Sequence, residues 1–207
     1  MYETTFKKLI RYYTKLYQIM MKTNKGIGAG GAQTNINGKK LENRVRDIVS
    51  NASKVKNTIY TGKTSKITGN TPKITEIEIN DKTFIRAPET MFEKWEKENG
   101  KKDIKKLHGS KRPDDCVINL IDKVIIWLEC KVQKGAGSKC EVLQSSTKKI
   151  RNLKRRFPDY TINYVYILDT YYKKCAEAEI ADLDEDGIPY IFDTDPEFEK
   201  KLLNLIK

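Results

Sequence analysis

Three side chains in one short stretch carry the densest chemistry in this chain: Asp114, Glu129 and Lys131. Asp114 follows Pro113 and precedes a second acid, Asp115, while Glu129 and Lys131 flank Cys130. Two carboxylates that converge repel each other and stay ionised together only with a cation between them. Hard divalent metals such as Mg²⁺ take oxygen ligands of this kind. A lysine beside such a centre would stabilise charge developing on an attacked phosphate, or help to orient a water.

The elements that must position these residues are legible around them. Val124 to Leu128 is the most continuously apolar run in the protein, β-branched and aromatic, which suits a strand buried on both faces. A core strand ending in Glu129-Cys130-Lys131 places two charged groups where each needs a partner. The stretch 112–134 reads as two strands joined at Asp122-Lys123. An even-length turn there sets Asp114 opposite Lys131 and Cys116 opposite Glu129. Asp114, Glu129 and Lys131 then share one face, while Asp115 and Cys130 point away.

Pro113-Asp114, followed after an interval by Glu129-x-Lys131, resembles the active-site signature of the PD-(D/E)XK nuclease superfamily. The resemblance implies an α/β fold: a restriction-endonuclease-like core with a mixed central β-sheet flanked by helices. It implies Mg²⁺-dependent phosphodiester hydrolysis, with Asp114, Glu129 and Lys131 as catalytic residues and the two acids as metal ligands. Many members add a glutamate from an early helix, and Glu42 is similar to that residue in chain order. Glu42 equally suits an exposed pair with Arg46 at i+4.

Formal net charge is +12 and the sequence pI about 9.4. That balance points to a polyanionic partner, nucleic acid or an anionic surface. No run is long and apolar enough for a transmembrane helix, and no signal-peptide pattern is present. Cys116, Cys130, Cys140 and Cys175 show no C-x-x-C spacing, and His108 is the single histidine. Reduced thiols in a cytoplasmic or nuclear compartment are expected rather than a zinc site.

Along the chain, residues 2–21 have the periodicity of a basic amphipathic helix. The glycine-rich stretch 26–38 reads as a loop, with Gln33, Asn35 and Asn37 as polar contacts to nucleic acid. A dinucleotide site is excluded there, because a helical pattern precedes the glycines where a strand is required. A helix is expected from Gly38 onward, with Leu41, Val45, Ile48 and Val49 inward. Residues 50–72 read as a loop with at most a short strand near Thr58–Tyr60. A hairpin turning at Asn80-Asp81 follows, then a helix opened by Pro88-Glu89.

Beyond Lys131, a loop carries Lys134, Ser138 and Lys139 as phosphate contacts. A helix over about 141–157 follows, with six cations outward, among them Lys148, Arg151 and Arg155. Asp182-x-Asp184-x-Asp186-Gly187 imitates the start of a calcium loop, but Asp193 stands where a glutamate is needed and Pro189 interrupts it. It is read as an acidic turn before a strand and a last helix.

One nuclease domain over 1–207 is expected, with a catalytic core at 39–170, an N-terminal helix and glycine loop at 1–38, and helices and a strand at 171–207. The first expectation for function is a type II restriction endonuclease that cuts double-stranded DNA as a homodimer. The N-terminal helix and the C-terminal apolar stripe are candidate pairing surfaces. A structure-specific nuclease (a Holliday-junction resolvase or repair enzyme) is the rival enzyme. A non-catalytic DNA-binding module is the rival outside enzymes.

Overall fold

The computed structural model describes residues 31–65, 71–102, 112–133 and 140–206. Helix α1 (Gly31–Asn51) leads into strands β1 (Lys54–Thr61), β2 (Lys73–Ile79) and β3 (Lys82–Arg86), then helix α2 (Thr90–Asn99). The hairpin β4 (Asp115–Asn119) and β5 (Val124–Lys131) follows. A 3-10 segment, Cys140–Ser145, runs into α3 (Ser146–Arg156) and strand β6 (Thr161–Leu168). The short helix α4 (Tyr172–Cys175), α5 (Glu177–Glu185), strand β7 (Tyr190–Phe192) and α6 (Phe198–Leu205) complete the order.

The described strands form one seven-stranded sheet whose spatial order is the chain order, β1 to β7. Pairings from β1 to β5 are antiparallel, and β5–β6 and β6–β7 are parallel. The switch has a local cause: β5 and β6 are joined through α3, the crossover a parallel pair requires. The protein is thus an α/β fold with a mixed sheet flanked by helices. No described helix is long and apolar enough to cross a membrane.

Alternation along β4 and β5 feeds two cores. Cys116, Ile118, Ile125 and Trp127 pack on one face with Phe92 and Trp95 of α2, Leu153 of α3, and Tyr164 and Tyr166 of β6. Trp127 stacks on Tyr164 at 6.0 Å between centroids, and Phe92 meets it edge-on at 5.1 Å. Val117, Ile126, Leu128 and Cys130 face Leu41, Val45 and Val49 of α1 and Phe198 and Leu202 of α6. Glu96 of α2, buried, pairs with Arg156 of α3 at 3.0 Å.

Several expectations change. α1 begins at Gly31, so Gln33, Asn35 and Asn37 lie on a helix and not in a glycine loop. The stripe Leu41, Val45, Ile48 and Val49 anchors the C-terminal half, and extending an existing helix backwards costs little once nucleated. Gly38 sits inside the helix, where an added Cβ would meet nothing. The expected loop at 50–72 contains an eight-residue strand, β1, exposed at every position. Its alternation could not announce it, because β1 buries no face and is held by backbone pairing to β2.

The β4–β5 hairpin turns by four residues, Leu120 to Lys123, and not two. Asn119 pairs with Val124, and Cys116 faces Trp127 rather than Glu129. The cause is Asn119, whose Oδ1 accepts from the backbone N–H of Ile121 (3.0 Å) and of Asp122 (2.9 Å). Lys123 completes the turn at φ 53°. The loop length stays even, so the alternation of faces is kept.

The Asn80-Asp81 hairpin forms as expected, with both residues at positive φ, the turn that matches strand twist. Asp182 and Asp184 lie within α5 rather than in a turn. The C-terminal stripe Phe198, Leu202 and Ile206 is buried in the protein's own core, which removes it as a pairing surface. The helix expected at 2–21, and His108, lie outside the described residues.

Candidate active site

Glu129 and Lys131 sit at the C-terminal end of β5, on the face shared with Trp127. Glu129 is only 3% exposed. Its Oε2 accepts from Trp127 Nε1 at 3.1 Å, and its Oε1 accepts from Lys131 Nζ at 2.5 Å. A second ammonium, Lys149 of α3, reaches the same Oε1 at 3.4 Å and donates to the Tyr164 hydroxyl at 2.7 Å. Burial opposes the Glu129 carboxylate, but the charges of Lys131 and Lys149 and the two hydrogen bonds outweigh it and hold its pKa down.

Asp114 stands just before β4. Its backbone N–H donates to Leu128 O (3.1 Å), and its Oδ2 accepts from the Cys130 N–H (2.7 Å). The carboxyl is therefore strapped to the end of β5, between Glu129 and Lys131 in sequence. Burial and then the charge of Glu129 push its pKa up to about 6, against the pull of Lys131. Asp115 turns to the other face. It is 1% exposed and clamped by Arg86, whose Nη2 donates at 2.5 Å and Nε at 3.0 Å.

Helix α1 brings Glu42 to the same region. Its charge is among those that raise the Asp114 pKa. Glu42 is part-buried and contacts Lys39 at 2.9 Å and Arg46 at 3.8 Å, the i+4 partner its spacing suggested. Arg46 Nη2 donates to Asp114 O at 3.1 Å and to the carboxylate of Glu89. On the far side, Asp169 at the end of β6 pins the chain after Lys131. Its N–H donates to Lys131 O (3.0 Å), and its Oδ2 accepts from Gln133 N–H (2.9 Å).

Mg²⁺ is commonly held by one or two carboxylates with the remaining positions filled by water. Asp114 and Glu129 supply two such groups, and a cation would relieve the charge penalty that keeps Asp114 partly protonated near pH 6. The donor set fits Mg²⁺. Among the described residues no three His, Cys, Asp or Glu side chains converge as a complete ligand cluster, so water would supply the other ligands.

The candidate nucleic-acid contacts divide. Lys148, Arg151 and Arg155 are exposed on α3. Lys149 and Arg156, counted with them as surface cations, turn inward to Glu129 and Glu96. The side chains of Gln33 and Asn35 lie outside the described residues, as do Lys134, Ser138 and Lys139. Asn37 is half-buried on α1, with its Nδ2 unpaired among the described residues. A cleft of about 630 Å³ between α5, β7 and α6 shares none of the catalytic candidates.

From sequence Arg46 is placed only as a partner of Glu42, and Lys149 and Asp169 are given no place in the site. For Lys149 a signal existed: it lies four residues before Leu153, on the inward stripe of α3. No protein-family model matches the chain, and no curated protein matches it.

Proposed function

We propose that the protein is a Mg²⁺-dependent endonuclease with a restriction-endonuclease-like core, cutting double-stranded DNA at a short specific sequence in the manner of a type II restriction enzyme. The observation that carries this reading is the grouping at one end of the β4–β5 hairpin. Two carboxylates from adjacent strands, Asp114 and Glu129, meet there with Lys131 on Glu129 Oε1 and Glu42 approaching from α1. A structural ion pair does not need the second, destabilised acid.

Asp114 and Glu129 would hold the cation, which supplies positive charge at the attacked phosphate. Glu129 is preorganised by Trp127, and Asp114 by the Cys130 N–H, so neither carboxylate must reorganise when substrate arrives. Lys131, at the same end of β5, would donate to a phosphate oxygen. The exposed cations of α3 and the net charge of +12 supply sequence-independent affinity.

Cutting both strands at one site is most simply done by two copies related by a two-fold axis, so the acting form is proposed to be a homodimer. Incubation with plasmid and Mg²⁺ should give discrete fragments. Asp114→Ala, Glu129→Ala and Lys131→Ala should each lower cleavage by at least about a hundredfold while leaving much of the DNA affinity. Wild-type cleavage rates in all three would overturn the site.

A further inference from the structure

We propose that Lys39 and Arg46 of α1 form a binding site for a backbone phosphate of the nucleic acid, occupied by the carboxylate of Glu89 when DNA is absent. The inference rests on the nuclease reading and deepens it. Lys39, Glu42 and Arg46 recur at i, i+3 and i+7, so they share one helix face. That face meets the start of the catalytic hairpin, because Arg46 Nη2 donates to Asp114 O at 3.1 Å. A phosphate held there would lie close to the backbone at Asp114.

Glu89 occupies the position that such a phosphate would take. Lys39 Nζ donates to its Oε1 at 3.1 Å, and Arg46 Nη2 donates to the same oxygen. One carboxylate oxygen serves two cations, and Arg46 Nε is left buried with no hydrogen-bond partner among the described residues. An unpaired buried donor costs free energy. A phosphate has more acceptor oxygens than this contact uses, and it suits the planar fork of an arginine.

The backbone points the same way. Glu89 sits at φ 46°, ψ −118°, outside the regions a non-glycine residue ordinarily occupies. The carboxylate is thus delivered to the two cations from a strained position at the entrance of α2. The side chains of Lys39 and Glu89 are 49% and 44% exposed, so an incoming strand can reach the site and Glu89 can swing away. A bound phosphate would take the place of Glu89 on both cations and pair Arg46 Nε.

The test is binding of sheared duplex DNA in metal-free buffer, with thermal melts to verify folding. Glu89→Gln keeps the shape and removes the competing charge, so it should bind about tenfold more tightly than wild type. Lys39→Ala, at a half-exposed position that does not threaten the fold, should bind more weakly. Its plot of log affinity against log salt should flatten by about one unit. Adding Glu89→Gln to Lys39→Ala should recover clearly less than the single variant gains.

Folded Glu89→Gln that binds no more tightly than wild type, or Lys39→Ala with an unchanged salt slope, overturns the phosphate site while leaving the nuclease reading in place. Wild-type protein that neither binds nor cuts DNA overturns both.

Discussion

A carboxylic acid buried beside another carboxylate is more stable protonated, and Asp114 is held in that position. Its pKa in the folded protein is about 6 against 3.8 for the free side chain. The folded state therefore binds the proton more tightly than the unfolded chain does. Stability from this group is fully present below pH 3.8 and is lost as pH rises through 6, up to about 3 kcal/mol. Asp114→Asn, whose Oδ1 can still accept from the Cys130 N–H, should melt about 5 °C above wild type at pH 8 in chelator. The gap should close between pH 6 and pH 4, and equal melting temperatures across that range would contradict it. Added Mg²⁺ should stabilise wild type and not the variant. Substitution of Asp115 should destabilise instead. Its carboxylate is fully buried against Arg86, so Asp115→Ala should cost roughly 3–5 kcal/mol in urea denaturation. The folded fraction should retain the chemistry that Asp114→Asn loses.

At the scale of elements, the cations of α3 divide between two faces. Lys149 and Arg156 tie it to the sheet and to α2, while Lys148, Arg151 and Arg155 face solvent. Reversing those three to glutamate should weaken DNA binding and flatten its salt dependence by up to about three units, with melting little changed. An unchanged slope would mark that face as ordinary solvated surface. The same helix shows what the sequence could and could not reveal. Its amphipathic stripe is plain, but six cations spread over nine positions hide which two turn inward until the sheet and α2 are in place beside them. In the hairpin, alternation reveals the faces of Asp114, Asp115, Glu129 and Lys131. The register is off by two, because the side chain of Asn119 builds the longer turn, a side-chain hydrogen bond that hydrophobic pattern does not encode. The part-buried position of Glu42 was legible from its place beside an apolar stripe. The contact of Arg46 with Glu89 was not, since it depends on how α1 and the entrance to α2 approach each other.

At the scale of the molecule, both enzyme readings expect a dimer, and the substrate separates them. A homodimer cutting at a palindromic site should yield reproducible fragments from long linear duplex, with one consensus at every end. Cleavage confined to four-way junctions, with little regard for sequence, would replace the restriction reading by junction resolution. Sedimentation on a cognate duplex should show two copies bound. Since α6 spends its apolar stripe on its own core, the pairing surface is expected elsewhere, and truncation of residues 1–30 tests whether it lies there.

The sheet has a further consequence. Every strand in it lies beside the strand that precedes or follows it in the chain, from β1 to β7. During synthesis each new strand emerges to find its partner already made, and no segment must wait for one still inside the ribosome. Construction is vectorial: α1 with Glu42 comes first, then β4 with Asp114, then β5 with Glu129 and Lys131. Lys149 arrives on α3 before β6 does. Asp114 and Glu129 are thus brought together before the crossover covers them, and an interruption of translation after β5 would leave a largely apolar, unpaired strand edge as the exposed hazard.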